Sequence, residues 1–232
     1  MESNSFLDLL FPRRCLGCGR SGGYFCASCI NLVSLNNQDI CPVCTKASIG
    51  GLTHYGCVSP LALDGLTAVF NYRGLVKKAI KKLKYRFVSD LAEDLVEVFL
   101  SFCGENKAFG KFCQAENVAL VPIPLHPQRF RWRGFNQAEL LGQLIAQNLG
   151  LKFLPEVLAR TKKTLPQVDL MKIDRHKNIK NAFSLSRNII ISQYRNLVLF
   201  DDVWTSGATL KEAAKVLKRN GAEKVWGLTL AR

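Results

Sequence analysis

LVLFDDVWTSGAT, residues Leu197 to Thr209, runs an apolar strand into two carboxylates, then into a short loop of hydroxyls and glycine, and then into a helix. A buried strand followed at once by a helix is the repeating unit of a parallel sheet, whose ligands collect at the carboxyl ends of the strands. The same order suits a ribose 5-phosphate. Asp201 and Asp202 can accept hydrogen bonds from vicinal ribose hydroxyls. The backbone N–H groups of Thr205, Ser206, Gly207, Ala208 and Thr209, at a helix N-terminus, can cradle the phosphate. Gly207 allows close approach of the backbone, and Thr205, Ser206 and Thr209 add hydroxyl donors. A plain acidic turn with Thr209 as a helix cap is the competing reading.

Working outward, residues 118–123, VALVPI, form a second buried strand. Its exit, through Pro122, Pro124 and Pro127, is too stiff to continue a sheet. Arg129, Arg131 and Arg133 follow, interleaved with Phe130 and Trp132. Arginine forks suit a pyrophosphate, and arginine alternating with aromatic rings equally suits single-stranded DNA. Residues 137–149 read as a helix ending at Gly150, residues 209–220 as another, and residues 224–230 as the last strand. Upstream, a strand is expected over 64–72 and helices over 75–84 and 90–102. The first of these helices carries Lys77, Lys78, Lys81, Lys82 and Lys84 largely opposite Val76, Ile80 and Leu83, and leads into Tyr85 and Arg86. That stripe is either a solvated face or a surface for phosphates, with Tyr85 placed for stacking. Gln167, Arg175 and Asn178, in the polar stretch 167–183, are candidates for covering the site.

Seven of the nine cysteines fall within residues 15–57. The pairs Cys15/Cys18, Cys26/Cys29 and Cys41/Cys44 each leave two residues between ligands, and His54 with Cys57 makes a fourth half-pair. Two such knuckles complete a closed, structural zinc site. One zinc is assigned to Cys15, Cys18, Cys26 and Cys29, and a second to Cys41, Cys44, His54 and Cys57. A cross-braced pairing satisfies the spacing too. The GxGxxG lettering of Gly17 to Gly22 follows no strand and is set aside. Cys103 and Cys113 have no partners at ligand spacing, and Cys103 is expected on a buried helix face.

The net charge is +14, and residues 1–60 contribute only four Lys/Arg against three Asp/Glu, so nearly all the excess lies on the remainder. Such an excess suits polyanions or serves solubility. No apolar run approaches the roughly 18 residues of a membrane span. The opening residues do not read as a signal peptide, so a cytoplasmic protein is expected. The expected organisation is a zinc ribbon over residues 1–60 and an α/β domain over 61–232, with a parallel sheet covered by helices on both faces.

The segment 197–209 resembles the phosphoribosyl pyrophosphate (PRPP) loop of type I phosphoribosyltransferases. Together with the CxxC ribbon, LVKKAIKKLKYR, VPIPLHPQRFRWRGFNQAELL, PQVDLMKIDRHKNIKNAF and GAEKVWGLTLAR, the chain resembles the ComF/GntX family of competence-associated proteins. The resemblance implies a double zinc ribbon fused to a phosphoribosyltransferase-type domain, PRPP binding with magnesium, and handling of incoming single-stranded DNA in natural transformation. DNA-uptake or helicase proteins are the implied protein partners. Departures from the family pattern are Trp204, bulky within the loop, Ser206 for a more usual threonine, and His54 for a cysteine. Thr205 stands where purine-salvage enzymes carry an aspartate base, and a threonine accepts no proton near neutral pH. No catalytic residue is therefore assigned. Two further functions compete with DNA handling: an active transferase on an unknown acceptor, and a zinc-ribbon adaptor.

Overall fold

The computed structural model describes residues 12–85, 89–162, 178–186, 191 and 193–232. Arg86, Gln167 and Arg175 lie outside these residues. At the centre is a five-stranded parallel sheet in the order β1-β7-β6-β2-β3, with β1 Gly65–Phe70, β2 Val118–Pro122, β3 Lys152–Phe153, β6 Asn196–Val203 and β7 Lys224–Ala231. A separate two-stranded antiparallel sheet is made by β4 Leu158–Arg160 and β5 Phe183–Leu185.

The strands are apolar on both sides because both sides are covered. Along β6, Val198 and Phe200 face one core and Leu197 and Leu199 the other; along β2, Leu120 and Val121 divide in the same way. The first core takes α2 Gly74–Tyr85, α3 Ser89–Cys103, α4 Lys107–Cys113 and α6 Gln137–Leu149. The second takes α7 Ala208–Arg219 and the β4/β5 pair. Val76, Ile80 and Leu83 of α2 are buried as the periodicity requires, and Cys103 is buried on α3.

The strands and helices read from apolar periodicity are present within one to two residues of their expected ends. Residues 127–133 differ. They form a short helix, α5 Pro127–Arg133, with Pro127 at its start, His126 Nδ1 accepting from the Gln128 N–H, and Gly134 in a left-handed conformation at its end. Helix α4 and the β4/β5 pair also arise where no periodicity announces them. Among the described residues, no helix is long and apolar enough to cross a membrane.

The cysteine-rich segment lies along the outer edge of β1. Leu35 pairs with Phe70 and Leu52 with Gly65, both antiparallel. The Asn36 N–H donates to Val69 O at 2.8 Å and the Thr53 N–H to Asp64 O at 3.0 Å. Gly51 makes this approach possible: its φ is +74°, and a Cβ there would fall 1.9 Å from the Leu66 carbonyl oxygen. The edge strand that would otherwise expose a row of unpaired amides is thereby covered. Toward the helices, Arg13 pairs with Asp90 at 3.3 Å and the Tyr24 N–H donates to Asp94 at 3.4 Å. Among its described residues, this segment holds one short α-helix, α1 Ala27–Ile30, and two 3-10 turns, Ile49–Gly51 and Tyr55–Cys57.

Candidate functional site

Chain direction reverses in the sheet between β2 and β6. From β2 the chain moves outward to β3, while from β6 it moves the other way to β7. Beyond the carboxyl ends of β2 and β6, at that switch point, the structure opens a cleft of about 610 Å³. Asp201, Asp202, Thr205 and Thr209 line one wall; Ile123, Arg129, Trp132 and Arg133 line the approach from β2 and α5.

Asp202 is buried at the end of β6. Its Oδ2 receives the Lys84 ammonium at 2.5 Å and the Gln137 side-chain N–H at 3.4 Å. Burial alone lowers the affinity of Lys84 for its proton, but the charge and hydrogen bond of Asp202, with Asp201 behind, hold the ammonium above its ordinary range. Among the described residues, Asp201 has no such partner of its own. Burial of its carboxylate, then the adjacent charge of Asp202, push it up to about 7, against the pull of Lys84. Its Oδ1 accepts from the Asp202 N–H at 2.9 Å, which restrains the carboxylate.

The loop turns on Gly207, at φ +72°, where a Cβ would meet the Trp204 ring at 2.2 Å. Trp204 is buried beneath the loop. Ser206 is also buried, and its Oγ accepts from the Ala208 N–H at 3.4 Å, so it shapes the turn from within. Thr205 is exposed at the cleft. Helix α7 begins with Gly207 at its N-cap and no side-chain cap. The N–H groups of a helix's first turn have no acceptor within the helix, and they carry its positive dipole end.

The helical form of α5 changes how its arginines are presented. Arg129 and Arg133, one turn apart, both line the cleft, whereas Arg131 is exposed away from it. Arg133 donates to Gln137, which in turn donates to Asp202, so a continuous polar chain joins α5 to the end of β6. Both aromatic residues of α5 are exposed, Phe130 by 46% and Trp132 by 72%, and Trp132 stands at the mouth of the cleft. Asn136 caps α6, accepting from the Ala138 N–H while donating to Ile123 O at 3.1 Å, which ties the stiff exit of β2 to the helix.

One cation in the cleft had no sequence signal. Arg160, at the end of β4, is buried and lines the cleft with Arg129 and Asp201. Burial first, and then the neighbouring Arg129, bring its guanidinium down to about 10 against the opposing pull of Asp201. A short strand with one arginine carries no pattern to distinguish it, and only the fold turns it inward. Tyr72, Asn136 and Gln137 line the cleft as well, and no local pattern in the sequence singles them out. Asn178 is half-buried and does not line the cleft.

The basic stripe of α2 divides along its length. Lys78 donates to Leu16 O at 3.4 Å and Lys82 lies 4.8 Å over the Tyr24 ring, so both hold the cysteine-rich segment. Lys84 alone of the stripe lines the cleft, and Tyr85 ends the helix one residue later.

The cysteines gather into two sets, Cys15/Cys18/Cys26/Cys29 and Cys41/Cys44/His54/Cys57, each with its ligand atoms within 4.8 Å of one another. The sulfurs of Cys15 and Cys18 are each 3.7 Å from that of Cys26. A tetrahedral zinc thiolate site needs about 3.8 Å along each edge. In the second set, His54 Nδ1 faces Cys44 Sγ at 3.3 Å while Nε2 lies 2.9 Å from Ala47 O. A proton on Nε2, given to that carbonyl, leaves Nδ1 as the ligand and orients the ring. Burial opposes ionisation of Cys15, but N–H groups of Cys18, Cys26 and Gly17 outweigh it and bring the thiol down to about 6. Both sets fit structural zinc, each formed within its own half of the ribbon, with His54 as a ligand.

The double zinc ribbon domain family matches residues 6–58. Competence protein F of Haemophilus influenzae is 43% identical over 115 residues, which span 49% of this chain and half the length of that protein. DNA utilization protein YhgH of Escherichia coli is 30% identical over 221 residues, 88% of this chain and 95% of that one. Competence protein ComFC of Bacillus subtilis is 27% identical over 218 residues, 89% and 83% of the two chains. With its ribbon matched and its parallel sheet included in similarity that runs nearly end to end, the chain belongs to the ComF family.

Proposed function

We propose that the cleft binds PRPP with magnesium and that the protein supports DNA uptake by handling incoming single-stranded DNA in the cytoplasm. The observation that carries the first part is the joining of Asp201, Asp202 and the Thr205–Thr209 loop to Arg129, Arg133 and Arg160 in one cleft at the switch point. A ribose with two adjacent hydroxyls donates to the carboxylates. Asp202 keeps Lys84 and Gln137 and still has lone pairs to offer. The 5-phosphate takes the N–H groups at the start of α7, and the pyrophosphate takes the arginines opposite. Bound magnesium would neutralise pyrophosphate charge. Thr205 supplies no general base, so binding is proposed and no acceptor is assigned.

The DNA role is supported by the names of the relatives and by the exposed aromatics Phe130 and Trp132 beside Arg129, Arg131 and Arg133. Stacking on such rings holds bases without reading sequence.

Titration calorimetry with PRPP and magnesium tests the cleft. Wild type is expected to bind, and the double variant Asp201→Asn with Asp202→Asn to lose binding at unchanged zinc content. Retained affinity in the double variant refutes the assignment, and no binding by wild type shifts weight to the ribbon as an adaptor for other DNA-uptake proteins. For DNA, affinity for an oligonucleotide is expected to fall steeply with salt as Lys/Arg–phosphate contacts are lost. Salt-insensitive binding excludes a direct role for the basic residues.

A further inference from the structure

Trp204 is out of place in a loop built to approach a phosphate, and the cleft makes no use of it. The indole is 4% exposed and lies where a Gly207 Cβ would be, so its position sets the turn of the loop. Its backbone is fixed from the far side, the Trp204 N–H donating to Ala231 O at 2.8 Å. What lies over the ring is Lys211, whose ammonium stands 5.7 Å from the ring centroid. Lys211 belongs to the first turn of α7, and its N–H donates to Gly207 O at 2.9 Å. The same ammonium donates to Val43 O at 3.3 Å.

Val43 lies between two members of the second metal set, Cys41 and Cys44. The Thr45 N–H donates to Cys41 O and the Cys41 N–H to Lys46 O, each at 2.9 Å, closing a tight turn around it. A metal held by Cys41 and Cys44 pins both ends of that turn and therefore the direction of the Val43 carbonyl. A cation over an indole face is attracted by the ring, and a carbonyl behind it fixes where the cation sits. Among the described residues the first metal set has no corresponding contact: its neighbours are Lys78 and Lys82 of α2 and the start of α3.

We propose that Trp204 and Lys211 are positioning residues that couple the second metal set, Cys41/Cys44/His54/Cys57, to the phosphate loop. Occupancy of that set holds Lys211 over the indole and the loop in its binding shape. By linkage, a ligand on the loop raises affinity for metal at that set by the same factor. The inference rests on the ribose-phosphate reading only for its effect on PRPP; the coupling of metal to loop shape stands on its own.

The test uses the full chain labelled with 5-fluorotryptophan. Its three tryptophans give separate fluorine resonances, and Trp204→Phe assigns one of them. Zinc added to metal-depleted protein is expected to shift the Trp204 resonance in wild type and in Cys18→Ser, but not in Cys57→Ser. Lys211→Met, a partly exposed change that leaves both metal sets intact, is expected to abolish the shift, and Lys211→Arg to restore it. With PRPP and magnesium, affinity is expected to fall about fivefold in Lys211→Met and in Cys57→Ser, and not in Cys18→Ser. A zinc-dependent Trp204 shift that survives in Lys211→Met overturns the proposal. So does PRPP affinity in Lys211→Met equal to that of wild type. A wild type that binds no PRPP but shows the zinc-dependent shift supports the coupling and overturns the ribose-phosphate reading alone.

Discussion

At the scale of single residues, the two neighbouring aspartates do different work. Asp202 is neutralised by Lys84, while Asp201 carries an ionisation cost. A carboxyl raised from an ordinary 3.8 to about 7 in the folded protein binds its proton more tightly there than in the unfolded chain. Its contribution to stability is therefore complete below about pH 4 and is lost as pH rises through about 7. Asp201→Asn is expected to raise the melting temperature of the ligand-free protein more at pH 8 than at pH 4.5. An equal gain at both values would contradict the assignment of strain to Asp201. Lys84→Met leaves the buried Asp202 carboxylate without its cation, and a cost of about 1–3 kcal/mol is expected in urea unfolding at pH 7. The two aspartates are plain in the sequence as a pair. Their difference is not, because Lys84 and Gln137 reach them from elements far away in the chain.

At the scale of elements, α5 shows where reading the sequence stops. Arg129, Arg131 and Arg133 alternate with aromatic residues, and alternation suggests a row of arginines on one side. Wound into a helix, the same residues split: Arg129 and Arg133 come together and Arg131 turns away. Replacing Arg129 and Arg133 by alanine is expected to weaken PRPP binding at least tenfold, and Arg131→Ala to leave it within twofold of wild type. Calorimetry on the two variants separates the helix from an extended loop, in which all three would matter. The long elements β2, β6, β7, α6 and α7 are legible because burial on one or two faces writes a period into them. The β4/β5 pair is not, since strands of three residues are too short to show one, and Arg160 is hidden with it.

At the scale of the whole molecule, the ribbon is part of the sheet's architecture. The CxxC spacing reveals the metal sets, but nothing in it says that Leu35 and Leu52 will bridge to β1. Stripping zinc with a strong chelator is expected to uncover the β1 edge and drive self-association, seen as concentration-dependent light scattering. A chain that stays monomeric without metal would show that the edge is protected by other means.

The pairing of β1 with β7 also bears on how the protein is made. Residues 65–70 leave the ribosome well before residues 224–231, the partner they need in the sheet. Throughout the synthesis of everything between, that first apolar strand has no β7 beside it. The segment made just before it is the one that later lies on its other edge. Metal captured by the nascent ribbon would give the strand a guardian on that side from the start, so the order of the chain places the escort ahead of the element most in need of one.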